Sequence, residues 1–398
     1  MVRQQHMGLH DAFKYKVTSV AILNKIKVVY VVPTLGQTGP SRQLFNLTKY
    51  LDKDVFEVVI ITLSQSPRQN IEEEVRALNI RIICLGLGRV NSFTVGKKSL
   101  VSTLATLRPD VIHSQGFRPD WLCSKLKNYP VRIATQRNYP FQDYPALYGI
   151  IAGSVTAQLH YRALTKIPIV ATCSQSIAQK NNLRGLQSIV IHNGVESNAL
   201  ETAVTVHDRK NLRASLNLPS NGQLFIYAGP LIPRKNPELL IHAFLCQPNK
   251  RDALCLLGDG PLFSRCQQLA ANCSRIVVPG FAPNVVNYLH AADYFVSASR
   301  AEGMPNAVLE GLAAGLPVIL SDIPAHREIL EICPDAGWLF SVGDHTALSA
   351  CLDQATVNPT IRATTRHLVA SHFSATSMSS AYQQLYRDSL SNASDYPK

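Results

Sequence analysis

Thirteen short apolar runs recur along this chain, and most are continuous rather than alternating. In the first half they are Lys27–Val32, Glu57–Leu63, Ile80–Leu85, Val111–Ser114, Arg132–Thr135, Val170–Cys173 and Ile189–His192. In the second half they are Leu224–Ala228, Ala253–Leu257, Arg275–Val278, Tyr294–Ala298, Pro317–Ser321 and Trp338–Phe340. Such runs are what parallel strands need when helices cover both faces of their sheet. Helix-like segments separate them, giving repeated βα units. The expected class is therefore α/β, with two doubly wound, Rossmann-like domains facing across a cleft. Ligands on such sheets bind beyond the carboxyl ends of the strands. A chain of 398 residues is too long for one ordinary core. The pattern turns polar between Asn193-Gly194 and Leu218-Pro219. This divides the chain into a leader (1–24), a first domain (25–195), a linker (196–218) and a second domain (219–375). A final helical segment (376–398) is free to pack back on the first domain.

The charge is unevenly placed. Residues 1–196 hold 24 Lys and Arg against 11 Asp and Glu, whereas residues 197–398 hold 15 against 16. A basic first half is drawn to an anionic membrane surface or an anionic substrate. Its cations are dispersed and not interleaved with aromatics, so nucleic acid is not an expected partner. No apolar run approaches the roughly 20 residues that span a bilayer. Residues 1–24 lack a cleavage-site pattern. The nine cysteines are scattered, with no C-x-x-C pair. That argues against a disulfide framework or zinc site and for a reducing cytoplasm.

Glu302 and Glu310 bracket the segment Gly303-Met304-Pro305-Asn306-Ala307-Val308-Leu309. Pro305 and Asn306 suit a helix start, with Asn306 able to cap it, and Gly315 with Pro317 suits a stop. Glu302 then precedes the helix and Glu310 lies about two turns along it. The free N–H groups of a helix start suit a phosphate. Two carboxylates beside that site suit the hydroxyls of a sugar and a ribose. A core helix with a solvated Glu at each end fits the spacing equally well.

Gly229-Pro230-Leu231-Ile232-Pro233-Arg234-Lys235 follows a strand and sets two cations at the cleft mouth. Arg234 and Lys235 there can neutralise a diphosphate leaving group, or can be a solvated pair. Gly258-Asp259-Gly260-Pro261 reads as a tight turn. The backbone of Val278-Pro279-Gly280-Phe281 suits either the edge of a base or a plain turn. Gly39 belongs to a loop after the first strand that lacks G-x-G-x-x-G. Gly86-Leu87-Gly88 and Gly96-Lys97-Lys98-Ser99 fail as dinucleotide and P-loop motifs. His113 and Arg137 end strands and are candidates for sugar or acceptor contacts.

Taken in order, these segments resemble the retaining nucleotide-sugar glycosyltransferases of the GT-B group usually called family 4, from Lys25 to about Leu390. The family's E-x7-E signature is matched by Glu302 and Glu310. Asn193-Gly194-Val195, the Gly229–Lys235 turn, Gly258-Asp259-Gly260-Pro261 and Pro109-Asp110-Val111-Ile112-His113 fall in the family's order. The resemblance implies an acceptor-side first domain and a donor-binding second domain. It gives Glu310 the ribose hydroxyls and Glu302 the donor sugar. It gives Arg234 and Lys235 the departing nucleotide diphosphate. Gly39, Gly229, Pro279, Gly280, Gly303, Met304, Pro305, Asn306 and Ala307 would complete the donor site. It implies retention of configuration with no metal or other cofactor.

Three positions depart from the pattern. Pro230 stands where the glycine turn usually carries Arg. Gln136-Arg137 stand where a His is common. The N-terminal glycine pair is reduced to Thr38-Gly39. The implied activity is transfer of a hexose or N-acetylhexosamine, from a UDP-sugar by preference, to a lipid-linked or growing saccharide. The implied setting is cell-surface polysaccharide synthesis at the inner face of the membrane, as a peripheral cytoplasmic protein. Rival readings on the same fold are a nucleotide-sugar epimerase and a catalytically silent, partner-binding subunit.

Overall fold

The structure, a computed structural model, describes residues 25–196, 200, 205–246, 251–355 and 359–394. The expected leader over 1–24 lies outside the described residues. The first sheet is built from β1 Ile26–Val32, β2 Phe56–Thr62, β3 Arg81–Cys84, β4 Val111–Gln115, β5 Arg132–Gln136, β6 Ile169–Thr172 and β7 Ile189–Val190. The second is built from β8 Leu224–Ala228, β9 Ala253–Leu257, β10 Ile276–Gly280, β11 Tyr294–Ser297, β12 Val318–Ser321 and β13 Gly337–Phe340. The spatial orders are 3-2-1-4-5-6-7 and 10-9-8-11-12-13. All thirteen expected strands are present within a few residues of their expected bounds, and the central pairings β1–β4 and β8–β11 are parallel. Each sheet is covered on both faces. Val28, Tyr30 and Ile60 pack on one side of the first sheet, and Val29, Val31 and Ile61 on the other. This is why the runs are continuously apolar: neither side chain parity meets water.

Six helices matter below: α1 Gly39–Lys49, α2 Phe117–Cys123, α3 Pro140–Tyr148, α4 Ile150–Leu164, α5 Asn306–Ala313 and α6 Ala375–Ser394. The first five start near the carboxyl ends of their sheets or run beside them. α6 leaves the second domain and lies on the first. Its Met378, Tyr382 and Tyr386 are buried in the core around Val28, Tyr30 and Leu47. Ser379 Oγ donates to Leu47 O at 2.9 Å and Gln383 Nε2 donates to Tyr50 O at 3.2 Å. Part of the expected linker is instead a helix of the second domain, Val206–Ser215. It is polar because its cations are used inward: Arg213 Nη2 meets Asp293 Oδ2 at 2.5 Å, and Arg209 Nη1 meets Oδ1 at 3.2 Å.

His113 does not reach the cleft. It is fully buried on β4 beneath α6, 2.8 Å from the Tyr386 hydroxyl and 2.6 Å from Thr135 Oγ1. Burial, reinforced by the nearby Arg137 charge, pushes its pKa down to about 3, so it is neutral. Tyr30 OH lies 2.7 Å from Tyr386 OH, and Tyr382 OH lies 2.9 Å from Thr135 Oγ1. The sequence expectation failed because both faces of β4 are buried, so a strand-end position does not tell cleft from core. Tyr386→Phe strands Tyr30 OH and His113 Nδ1 in the core and should lower stability by about 1–3 kcal/mol. A shift of the urea midpoint, with the slope unchanged, checks this; an unshifted midpoint refutes it.

Candidate active site

The cleft lies at the switch points of both sheets, where strand order reverses between β1 and β4 and between β8 and β11. A cavity of about 380 Å³ opens there, walled by both domains. From the first domain come Gly39, Arg42, Arg137 and Asn193, among others. From the second come Gly229, Arg234, Lys235, Glu302, Met304, Pro305, Asn306, Ala307 and Glu310.

Glu302 follows β11 and is held from three sides. Arg234 Nη1 meets its Oε2 at 3.1 Å, Lys235 Nζ bonds its Oε1, and Ser299 Oγ donates to Oε1 at 2.7 Å. Burial opposes ionisation, but the Lys235 and Arg234 charges and these hydrogen bonds outweigh it and hold the pKa down to about 2. Arg234 also donates to Ala301 O at 2.7 Å, and its own carbonyl accepts from Arg300 N at 2.8 Å. The turn after β8 and the loop after β11 are thus locked together through one carboxylate. The glycines of Gly258-Asp259-Gly260 serve the neighbouring turn: a Cβ on Gly258 would lie 1.9 Å from Gly229 O.

α5 begins directly after that loop. Pro305 occupies the cap position and Asn306 is the first helical residue. Asn306 does not cap as expected. Its Oδ1 accepts from Asn193 Nδ2 at 2.8 Å and its Nδ2 donates to Gly39 O at 3.5 Å, so it crosses to the first domain. The first N–H groups of α5 have no acceptor within the helix. Gly303 is needed for contact between domains, since a Cβ there would lie 1.9 Å from Arg137 O. Glu310 sits about one turn into α5 rather than two. Among the described residues its carboxylate makes no hydrogen bond or ion pair, and burial pushes its pKa up to about 7, with the Arg42 charge offsetting only part. The two glutamates are thus opposite in state: one ionised and fully paired, the other half-buried and unpaired.

Arg137 lines the cleft from the end of β5, and its Nη1 donates to Asn193 Oδ1 at 2.5 Å. Pro279 and Gly280 end β10 but are not among the residues walling the cavity; Gly280 O accepts from Gly258 N at 2.9 Å. Asn193 joins Arg137, Met304 O and Asn306, yet the sequence marked it only as part of a motif. A second cavity, of about 310 Å³, adjoins the cleft at the ends of β1, β4 and β5 and includes Asp143, Tyr144 and His160 from α3 and α4. Nothing in the strand pattern pointed to these three. His160 Nε2 lies 2.7 Å from the buried Asp120 Oδ2, and its Nδ1 lies 2.8 Å from Tyr144 OH.

Chemically, the arrangement offers two cations and a helix start to an anion. It offers one free carboxylate to hydroxyls about a helical turn away. Glu302→Gln removes the charge that pairs Lys235 and Arg234 and should cost about 1.5–3 kcal/mol at neutral pH. The wild-type advantage is full above the ordinary carboxylate range near 4.5 and is lost as pH falls toward about 2. Urea unfolding of both proteins across that window should show the curves converging in acid; parallel curves would show that the ion cluster is energetically silent.

A family model described as "Glycosyltransferase Family 4" matches residues 38–199, and one described as "Glycosyl transferases group 1" matches residues 222–357. The UDP-Gal:alpha-D-GlcNAc-diphosphoundecaprenol alpha-1,3-galactosyltransferase of Escherichia coli is 24% identical over 337 residues, covering 81% of this chain and 85% of that one. The O-antigen biosynthesis glycosyltransferase WclY of Escherichia coli is 26% identical over 323 residues, covering 77% and 83%. The solved structure of Anabaena Alr3699/HepE in complex with UDP superposes with a TM-score of 0.76 at 15% identity, covering 91% of this chain and 100% of that one.

Proposed function

This chain belongs to the GT-B glycosyltransferases, and from that premise we propose that it is a retaining, metal-independent enzyme of cell-surface polysaccharide synthesis. It moves a hexose or N-acetylhexosamine from a UDP-sugar to a lipid-linked or growing saccharide. The observation that carries the reading is the arrangement around the start of α5. Lys235 and Arg234, paired to the loop before α5, and the unpaired carboxylate of Glu310, about one turn into α5, wall the same cavity. A nucleotide diphosphate has that polarity, with phosphates at one end and ribose hydroxyls at the other. Names of relatives support the donor and the pathway: one uses UDP-Gal with a diphosphoundecaprenol-linked acceptor, and another serves O-antigen biosynthesis.

In this reading the diphosphate rests on the first N–H groups of α5 and on Lys235 and Arg234. Glu302 holds those cations in place and turns toward the donor sugar. Glu310 accepts the two ribose hydroxyls. The bond from the anomeric carbon to the phosphate oxygen breaks as the acceptor hydroxyl approaches from the same face. Its proton passes to that departing oxygen, and the bond to the acceptor forms. Charge building on the leaving diphosphate is met by fixed cations in a site walled by two domains.

Nucleotide release from UDP-, GDP-, ADP- and dTDP-sugars, with membrane lipid extract and EDTA present, tests the reading. Release from one donor, stimulated by extract and indifferent to EDTA, is expected. Glu310→Ala should weaken donor binding by roughly 1.5–3 kcal/mol per lost hydrogen bond, and Lys235→Ala should reduce turnover more than binding. Unchanged kinetics in both variants would remove the site assignment.

We further propose that the first domain works on an anionic bilayer. Among the described residues no helix is long and apolar enough to cross a membrane. The α3–α4 hairpin nevertheless exposes Leu147, Tyr148, Ile150 and Ile151, the last two by 81% and 84%. The rings of Tyr148, Tyr144, Phe117, Phe93 and Trp121 form a chain of contacts leading away from it. That chain ends under Lys125, whose Nζ lies 4.3 Å over Trp121, in a basin lined also by Lys97, Lys127 and Lys166. An apolar tip joined to a lysine basin suits insertion beside anionic headgroups. Ile150→Asp with Ile151→Asp should cut partitioning onto anionic vesicles roughly tenfold or more. Sedimentation equal to wild type would exclude the hairpin as the anchor.

A further inference from the structure

The cavity beside the cleft has an unusual hydrogen-bonding inventory. Gln115 ends β4 and Gln136 ends β5, and they are 4% and 2% exposed. Both line the cavity, and among the described residues both bury Nε2 with no hydrogen-bond partner. Gln136 Oε1 accepts from Asn181 Nδ2 at 2.8 Å, which leaves its Nε2 on the cavity side. Arg137, on the same wall, commits Nη1 to Asn193 but buries Nε and Nη2 unpartnered. Three neighbouring side chains therefore leave four nitrogen donors unmatched. Leaving a buried donor unmatched costs about 1–3 kcal/mol, and more when it is charged.

Donors in excess are complementary to a ligand that brings only acceptors. A neutral sugar hydroxyl brings a donor with every acceptor, so it would leave this wall half matched. An oxyanion brings acceptors alone. The electrostatics agree. α1 and α3 both start at the cavity, through Pro40, Ser41 and Pro140, and helix starts favour negative charge. Asp143 is the one carboxylate among the lining residues, and it sits toward the donor side. It also lines a small recess with Arg234 and Glu302. Burial raises its carboxyl above the usual range, Arg234 drawing it back and Glu302 adding to the rise.

We infer that this cavity binds an oxyanion carried by the acceptor, a phosphoryl group or a sugar carboxylate. Gln115, Gln136 and Arg137 grip it, and Asp143 accepts from a hydroxyl of the acceptor other than the reacting one. That the bound molecule is the acceptor rests on the transferase reading; that the cavity takes an oxyanion does not. Gln115 and Gln136 are not among the residues walling the nucleotide cleft, which separates this site from the one for the donor diphosphate.

Calorimetric titration of the full chain with glucose 1-phosphate, glucuronate and glucose tests this, first alone and then with UDP saturating the cleft. At least one anionic probe should bind tenfold or more tightly than glucose, and should still do so with UDP present. Preference for glucose 1-phosphate assigns a phosphoryl-bearing acceptor, and preference for glucuronate assigns an acid sugar. Gln115→Leu should weaken that probe about fivefold and Arg137→Met tenfold or more, while Gln115→Leu leaves UDP affinity unchanged. Equal binding of glucose and both anions, or displacement of the anion by UDP, overturns the inference. Failure of UDP to bind would count against the transferase reading instead, and the contrast between anion and glucose would still decide the cavity.

Discussion

A parallel sheet built from βα units has all its strands running the same way, so every loop after a strand emerges on one edge. The rest of this molecule follows from that restriction applied twice. The loops after β1, β4 and β5 form one wall of the cleft, and those after β8 and β11 form the other. The second wall is stiffened by Glu302. Its carboxylate ties the turn carrying Arg234 and Lys235 to the loop that starts α5. Removing two cations and a carboxylate from water is worthwhile only when the pairing is close and complete. Here the carboxylate bonds Lys235, Arg234 and Ser299 together.

The strands were legible because burial on both faces imposes one composition, and that composition survives in any sequence context. The stop of α5 at Gly315 was legible for a similar reason: Gly315 adopts a φ of +82° just past the cap residue Ala314. The start of α5 was read less well. Asn306 has the chemistry of a cap, but contacts with Asn193 and Gly39 of the other domain took its side chain. Local propensity gave way to a partner over a hundred residues away. His113 failed in the same manner, because its partner Tyr386 lies 273 residues onward. Of the second cavity only Arg137, with Gln136 beside it, was legible. The lack of partners on Gln115, Gln136 and Arg137 exists only in three dimensions, and Asp143, Tyr144 and His160 lie on helices where no spacing marks them.

Thr135 links two parts of the structure that otherwise look separate. It lines the acceptor-side cavity and also touches His113 and Tyr382. The back of the cavity is therefore held by α6, the last helix described. Polar contacts this deep are secure only when all partners are present, so the shape of the cavity depends on a segment remote from it in sequence.

That dependence bears on the order in which the protein can be made. The chain passes between domains twice, and the crossings lie side by side: Val195 N donates to Phe373 O, and Ala375 N donates to Val195 O, both at 2.9 Å. The described residues between them belong to the second domain, which is an insertion within the first. Domains usually fold as they leave the ribosome, amino-terminal first. Here the first sheet would emerge with the face around Tyr30 and Val28 covered only in part, by Leu44 and Leu47 of α1 among others, and would stay so until Met378, Tyr382 and Tyr386 had been synthesised. The domain whose sheet is made first is thus the later of the two to be completed, and its partly covered apolar face is the vulnerable surface of the nascent protein.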